Sequence, residues 1–369
     1  MPTPAQAAVF RQPGAPPVIE PVVLDDPREG ELVVRLVGVG VCHTDMVLRD
    51  GHLPTPFPVV LGHEGAGVVE RVGAGVTTLA PGDHVVLSFD SCGHCPSCDD
   101  HAPAYCHDWF AYNFGGSRTD GTTALSASDG TAIHSHVFGQ SSFATHALVH
   151  ARNAVKVDAD LPLELLGPLG CGIQTGAGAV LNELRPRPGA SVAVIGTGAV
   201  GLSAIMACGI AGAGVVAAVD INPARIALAQ ELGATHGFDA RSGSLADHAR
   251  AAGLAQGFDC VIDTTGRPDV VNAALPALAP RGQMALVGAY GPGDIAADAT
   301  FLMSGGRVIR GVVEGGADPQ AFIPELLAHY RAGRFPFDRL VRFFAFEDIA
   351  DAIAQGEAGH VVKPILRIG

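Results

Sequence analysis

Charge is scarce in this sequence. Only 16% of the 369 residues are Asp, Glu, Lys or Arg, against 48% apolar, so no segment has the charge excess that keeps chains disordered, and material for packed interiors is ample. Basic residues are the rarer sign: 23 Lys and Arg face 37 Asp and Glu, a formal charge of -14. That balance opposes phosphate backbones and anionic membrane surfaces, so neither nucleic acid nor a membrane is an expected partner. The opening Met1-Pro2-Thr3-Pro4 has no basic run and no apolar stretch of signal length, which gives a cytoplasmic expectation. From Ser191 to Val219 there is no charged residue, long enough to span a bilayer, but glycines interrupt the stretch and it carries the nucleotide-binding pattern described below. Internal repeats and low-complexity linkers are also missing.

What is present reads as two domains, the natural division of a chain too long for one core. Residues 1–158 alternate Val-rich runs, such as 31–41 and 59–72, with Gly/Pro turns, predicting a β-rich unit. From 159 to 311 apolar strands (191–195, 214–220, 260–264, 284–288) alternate with Ala/Leu-rich helices (223–232, 269–278), the rhythm of a doubly wound parallel sheet. Helices around 324–332 and 346–355 and a last strand at 361–368 return the C-terminus, 312–369, to the first domain.

Eight cysteines without a secretory signal point to metal or chemistry rather than disulfides. Cys92, Cys95, Cys98 and Cys106, in a lobe spanning 91–107, have the pitch to wrap one tetrahedral ion, and an all-cysteine shell leaves no open position. A structural zinc is expected there. An iron–sulfur cluster or redox-active Cys-x-x-Cys pairs are the alternatives, although the short last gap followed by Pro of the bacterial ferredoxin run is missing. His94, His101 and His107 lie close by as bystanders. Cys42 and His63 each follow a strand end, and Cys171 stands near the passage from the β-rich to the α/β unit. Two thiolates and an imidazole form the ligand set of a catalytic zinc whose fourth position is open to water or substrate oxygen; taken singly, buried apolar cysteines and an ordinary histidine are the alternative.

The run Gly62-His63-Glu64-x-x-Gly67-x5-Gly73-x-x-Val76 resembles the zinc-containing alcohol dehydrogenase signature of the medium-chain dehydrogenase/reductase superfamily. The four-cysteine lobe, Cys171 and the glycine pattern below occur in that family's order and separations, so the resemblance spans essentially the whole chain. It implies a GroES-like catalytic domain joined to a Rossmann domain, with Cys42, His63 and Cys171 on a catalytic zinc. Asp45 matches the carboxylate that orients the histidine ligand, fixing its tautomer and raising its basicity. Glu64 matches the acid that transiently coordinates the metal during ligand exchange. Thr44 matches the hydroxyl that accepts the substrate proton. Many relatives end this relay in a histidine three positions later, but here that position is Val47, which leaves water or His43 as its end.

Gly196-x-Gly198-x-x-Gly201 follows a predicted strand and opens a predicted helix, and Asp220 stands 19 residues further, at the next strand end. Glycines let the backbone approach a pyrophosphate at a helix N-terminus, and the carboxylate reads the adenosine ribose and repels a 2'-phosphate, which favours NAD over NADP. By resemblance Arg225 lies near the adenosine, and His43 and Lys363 at the cofactor phosphates; for Arg225 and Lys363 a plain surface role is the alternative.

A metal with an open position lowers the pKa of an alcohol hydroxyl, so that hydride can pass from its carbon to a nicotinamide, reversibly. The stretches from Tyr105 through Trp109 and Asn113 to Gly116, 139–144 with Gln140, and Gly311-Val-Val-Glu314-Gly315 resemble the aryl-alcohol and allylic terpenoid branch, implying primary aryl or allylic alcohols such as benzyl alcohol. Phe89, Trp109, Phe110 and Phe114 are candidates for a flat apolar pocket, or simply core. Aliphatic or polyol dehydrogenases are the neighbouring alternatives; a zinc-free quinone reductase would not need the Cys42, His63 and Cys171 set, and a non-catalytic dinucleotide-binding protein is the remote one. A homodimer or homotetramer paired through the sheet edge near 307–313 is expected.

Overall fold

The computed structural model describes residues 2–369. The chain divides into two units, the first comprising 1–171, 318–325 and 338–369 and the second 172–317 and 326–337.

The first unit opens with β1 (Thr3–Phe10), β2 (Val18–Leu24), β3 (Glu31–Gly40), β4 (Val59–Val60), β5 (Gly65–Val72), β6 (His84–Leu87), β7 (Leu125–Ala127), β8 (Ala132–Ile133), β9 (His146–His150) and β10 (Ala154–Val157). The second contains β11 (Ser191–Ile195), β12 (Val215–Asp220), β13 (His236–Asp239), β14 (Phe258–Asp263), β15 (Leu278–Leu286) and β16 (Val308–Gly311). The chain then returns to the first unit with β17 (Val341–Ala345) and β18 (Lys363–Arg367).

Two sheets of the first unit run β4-β1-β2-β7-β8 and β10-β6-β5-β3-β18-β17, with β9 also on β3. The core buries Phe10, Leu32, Leu36 and Leu87 from the strands, and Leu61 and Phe143 from the segments between them. The Val-rich run at 59–72 is not one strand. It breaks at Gly62, whose φ is +89° and where a Cβ would lie 2.5 Å from the Phe143 backbone nitrogen, and the four residues between β4 and β5 become the turn that carries His63. β18 pairs antiparallel with β3, Ile365 opposite Gly40, so the last strand delivers Lys363 to the end of β3.

The second unit is a six-stranded sheet in the order β13-β12-β11-β14-β15-β16, with every pair parallel. The order reverses between β11 and β14, and such switch points bind ligands at the carboxyl ends of the strands. β13 is a half-buried edge of four residues without a β-branched side chain, which is why no periodicity marks it in the sequence. Among the described residues no helix is long and apolar enough to cross a membrane; the uncharged run at 191–219 is β11, α-helix Ala199–Ile210 and most of β12.

A buried polar cluster braces the first unit. Arg118 donates to both oxygens of Glu31 (2.8 and 3.2 Å) and to Asp25 (3.0 Å). His136 lies against it, its Nδ1 2.9 Å from the Ser135 hydroxyl; burial and then the Arg118 charge push its pKa down to about 4. A histidine held neutral in the fold contributes stability that is complete above its unfolded pKa near 6.5 and is lost as pH falls toward the folded value. Between pH 7 and 5 the native protein should therefore lose about 2 kcal/mol through this group. His136 is left-handed (φ +66°), and His136→Asn keeps a residue tolerated there. Its denaturation midpoint should fall less steeply over the same pH range; parallel curves would show that His136 does not titrate on unfolding.

Candidate active site

The sequence Cys42-His43-Thr44-Asp45 starts a short helix, α1 (His43–Arg49), that hydrophobic periodicity did not reveal. Asp45 organises it. The fully buried carboxylate accepts from the Cys42 backbone N–H (3.1 Å, Oδ2), the Gly62 N–H (2.9 Å, Oδ1) and His63 Nδ1 (2.9 Å, Oδ1). One side chain thus fixes the backbone of Cys42 and the ring of His63, and it holds the proton on Nδ1. Nε2 faces inward, buried and without a hydrogen-bond partner among the described residues.

The ligand atoms of Cys42, His63, Glu64 and Cys171 all lie within 4.8 Å of one another. Burial opposes charge on His63, yet the Asp45 carboxylate and the Cys42 sulfur lift its pKa well above the ordinary value. A hydrogen bond from Cys171, against burial and with help from His63, holds the Cys42 thiol well below its usual range, the state a metal requires. An orphaned buried imidazole nitrogen facing two sulfurs suits zinc with three protein ligands.

Glu64 and Lys363 close the inner side. Lys363, expected at the cofactor phosphates, is buried against Glu64: its side chain is 3% exposed, and Nζ donates to both Glu64 oxygens at 2.8 Å and to the Val41 carbonyl at 3.2 Å. An ammonium has three hydrogens, enough for these three contacts. Burial works against the charge, but Glu64 outweighs it and raises the Lys363 pKa. Gly40 is glycine because a Cβ there would lie 2.0 Å from Glu64 Oε2.

Thr44 is half-buried, its hydroxyl 3.9 Å from Cys42 Sγ; His43 is exposed at the first position of α1, and Val47 is half-buried on the same helix. Above His63 lies an aromatic wall. Phe138 stacks on its imidazole (centroids 4.4 Å, 21° between planes), Trp109 and Phe114 meet Phe138 edge-on (6.1 and 5.2 Å), and Phe89 packs on Trp109 (5.1 Å). Phe110 touches Phe114 but is 69% exposed.

In the cysteine lobe Cys92, Cys95, Cys98 and Cys106 cluster in the same way. Backbone N–H groups point at the sulfurs: His94 and Cys95 at Cys92 (3.5 and 3.3 Å), His107 at Cys95 (3.5 Å) and Cys92 at Cys106 (3.3 Å). Such donors stabilise thiolates. The His94 ring pairs with the Cys92 carbonyl (2.8 Å) and the His101 ring faces Asp318 (3.7 Å), so neither imidazole enters the shell. All eight cysteines are free of disulfides.

In the second unit Gly196 ends β11 at φ +88°, a Cβ on Gly198 would meet nothing within 4 Å, and one on Gly201 would lie 1.9 Å from the Gly196 carbonyl. This is an open cradle at the start of the helix Ala199–Ile210, at the switch point, and it suits a dinucleotide pyrophosphate. Asp220 is at the end of β12, but it also serves the glycine loop: Oδ2 accepts from the Thr197 N–H and hydroxyl (both 2.6 Å) and Oδ1 from the Asn222 N–H (2.9 Å). A carboxylate has four lone-pair sites, so capacity for a ribose hydroxyl remains. Burial pushes the Asp220 pKa up, but the hydrogen bonds from Thr197 and Asn222, and then the Arg225 charge, outweigh it and hold it below the usual value; Arg225 Nε is buried without a partner among the described residues.

Residues 28–159 match the alcohol dehydrogenase GroES-like domain and residues 199–329 the zinc-binding dehydrogenase domain. A geraniol dehydrogenase from Castellaniella defragrans is 50% identical over 366 residues, 98% of this chain and 97% of its own. An alcohol dehydrogenase zinc-binding domain protein from Burkholderia ambifaria superimposes with a TM-score of 0.98 at 52% identity, covering 100% of both chains. The crystal structure of benzyl alcohol dehydrogenase from Acinetobacter calcoaceticus does so with a TM-score of 0.95 at 43% identity, again covering 100% of both. The chain belongs to the zinc-containing alcohol dehydrogenase family.

In this alcohol dehydrogenase, sequence reasoning left Phe138, Ser88 and Gln140 without a role. Phe138 carries no motif, and its φ of +51° presses the ring onto His63 in a way no sequence pattern announces. Gln140 lay inside a stretch that marked the branch, yet which backbone groups its amide meets is a matter of tertiary placement.

Proposed function

We propose that this enzyme oxidises primary alcohols with a conjugated group beside the carbinol carbon, benzyl or allylic, to aldehydes with NAD, and runs in reverse. The observation that carries the reading is the cluster of half-buried Cys42 with buried His63 and Cys171 beneath the aromatic wall of Phe138, Trp109, Phe114 and Phe89. Aromatic faces favour flat conjugated groups by stacking, about 0.5–1.5 kcal/mol per well-placed pair beyond area burial. The names of the geraniol and benzyl alcohol relatives agree with that chemistry.

Cys42, His63 and Cys171 would hold the zinc, which supplies a Lewis-acidic open position that lowers the pKa of an alcohol hydroxyl. Asp45 keeps His63 in the ligating tautomer. Thr44 accepts the substrate proton, and because Val47 has none to relay, the proton leaves through His43 or water. Glu64, within ligand range, serves exchange at the metal. Cys92, Cys95, Cys98 and Cys106 hold a second, structural zinc. Gly196, Gly198 and Gly201 cradle the NAD pyrophosphate, Asp220 reads the ribose and disfavours a 2'-phosphate, and Arg225 flanks the adenosine.

A panel of benzyl alcohol, geraniol, ethanol and sorbitol with NAD or NADP tests this. kcat/KM should be at least about tenfold higher for the conjugated pair than for ethanol, the worth of roughly 1.4 kcal/mol of stacking, and higher with NAD. Preference for ethanol or sorbitol would move the enzyme to the aliphatic or polyol branch.

The enzyme is also proposed to be a homodimer or homotetramer paired through β16. This outermost strand of the sheet leaves backbone groups unpaired and exposes Val308 (41%), Val313 (38%) and Met303 (77%) nearby. Sedimentation at the mass of a single chain would exclude that pairing.

A further inference from the structure

The segment 136–143 is the most strained stretch of the first unit. His136, Phe138, Gly139 and Ser141 all adopt left-handed backbone angles, with φ of +66°, +51°, +64° and +52°. Three of them carry a Cβ, and such conformations persist only where the surroundings over-determine them, commonly at functional sites. The surroundings here are the turn that carries His63. Ser141 Oγ donates to the Val60 carbonyl (2.6 Å), the Phe143 N–H to that of Leu61 (2.9 Å), the Ser142 N–H to that of Gly62 (2.7 Å), and Gln140 Nε2 to that of His63 itself (3.0 Å). Four successive carbonyls leading to a metal ligand are thus held by one strained turn.

Gln140 does more than join this row. Its Nε2 also donates to the Ser88 carbonyl (3.1 Å), while Oε1 accepts from the Gly65 N–H (3.1 Å) and the Ser142 hydroxyl. The orientation of the amide is forced, since carbonyls only accept and a backbone N–H only donates, and all its hydrogen-bonding capacity is used. Ser88 in turn donates its hydroxyl to the Gly170 carbonyl at 2.6 Å, next to Cys171. Gly170 lies flat on the end of β6, where a Cβ would come 1.9 Å from the Leu87 carbonyl. Gln140 and Ser88 are 2% and 0% exposed.

We propose that Gln140, acting through Ser88, is a positioning residue for the open zinc centre: it sets the spacing of the chain segments that bring in His63 and Cys171. The inference rests on the reading that Cys42, His63 and Cys171 bind the catalytic zinc. Asp45 ties Cys42 to His63 by one route; the chain from Gln140 to Ser88 to Gly170 ties His63 to Cys171 by a second. Together they fix the tripod before metal arrives, and partners of this kind typically carry 10–100-fold in metal affinity.

Ser88→Ala removes the hydroxyl bond to Gly170, and Gln140→Met keeps the length of the side chain while removing its four polar contacts. The zinc-loaded full chain is mixed with a colorimetric chelator and release is followed in time; the cobalt-substituted protein is compared by its visible absorption. The native chain should hold two zincs per chain. Both variants should release one of them about tenfold faster or more, leave the release of the other unchanged, and shift the cobalt bands. If Gln140→Met does not fold, Ser88→Ala alone decides. Native release rates and a native cobalt spectrum, with or without a lower melting temperature, would mean that these residues merely pack. A native chain that binds only the lobe zinc would overturn the open-centre reading itself, and this inference with it.

Discussion

Cys171→Ala should abolish alcohol oxidation while leaving the protein folded. The variant strips one of the three ligands proposed for the open centre and touches neither the four-cysteine lobe nor the glycine cradle. Lewis-acid stabilisation by a bound metal is worth several kcal/mol, and every 1.36 kcal/mol is tenfold in rate, so NADH formation from benzyl alcohol should fall by about a thousandfold or more. Zinc content should drop from two per chain to one. The reaction would not depend on the centre if the variant turned over at the native rate.

Lys363→Met should be the most damaging single change to stability at the site. Glu64 is fully buried, and Lys363 supplies both of its 2.8 Å ion-pair contacts. Removing the cation takes the counter-charge from a buried carboxylate, and breaking a buried pair in this way costs about 3–5 kcal/mol. The denaturant midpoint of the first unit should fall accordingly. Adding Glu64→Gln should restore part of the loss, because the buried charge is then gone. A Lys363→Met protein of native stability that binds NAD more weakly would instead return Lys363 to the cofactor phosphates.

The comparison of these two residues shows what sequence makes legible. Metal-binding clusters follow rules of spacing and residue type, so the cysteine cluster at 92–106 is readable locally, and the gathering of Cys42, His63 and Cys171 becomes readable through the surrounding signature. The glycine cradle is equally local: strand, Gly-x-Gly-x-x-Gly, helix, then an acid at the next strand end. Lys363 is different. Its partner Glu64 is 299 residues away, and only the β18–β3 pairing brings them together. The same holds for Gln140, whose partners outside its own turn lie 52 to 77 residues away. Asp220 lies between the two cases: its position is legible, but its bonds to Thr197 are a product of the folded loop. At the level of fold, the parallel sheet is written in strand–helix alternation, whereas α1 owes its start to Asp45 capping Cys42 rather than to any apolar period.

The most direct test withdraws zinc stepwise from the native enzyme with a chelator while NADH formation from benzyl alcohol is recorded, and then returns it. The account predicts two zincs per chain, with turnover lost in step with departure of the one held by Cys42, His63 and Cys171 and regained when zinc is added back. Turnover that persists in the metal-free protein would contradict it.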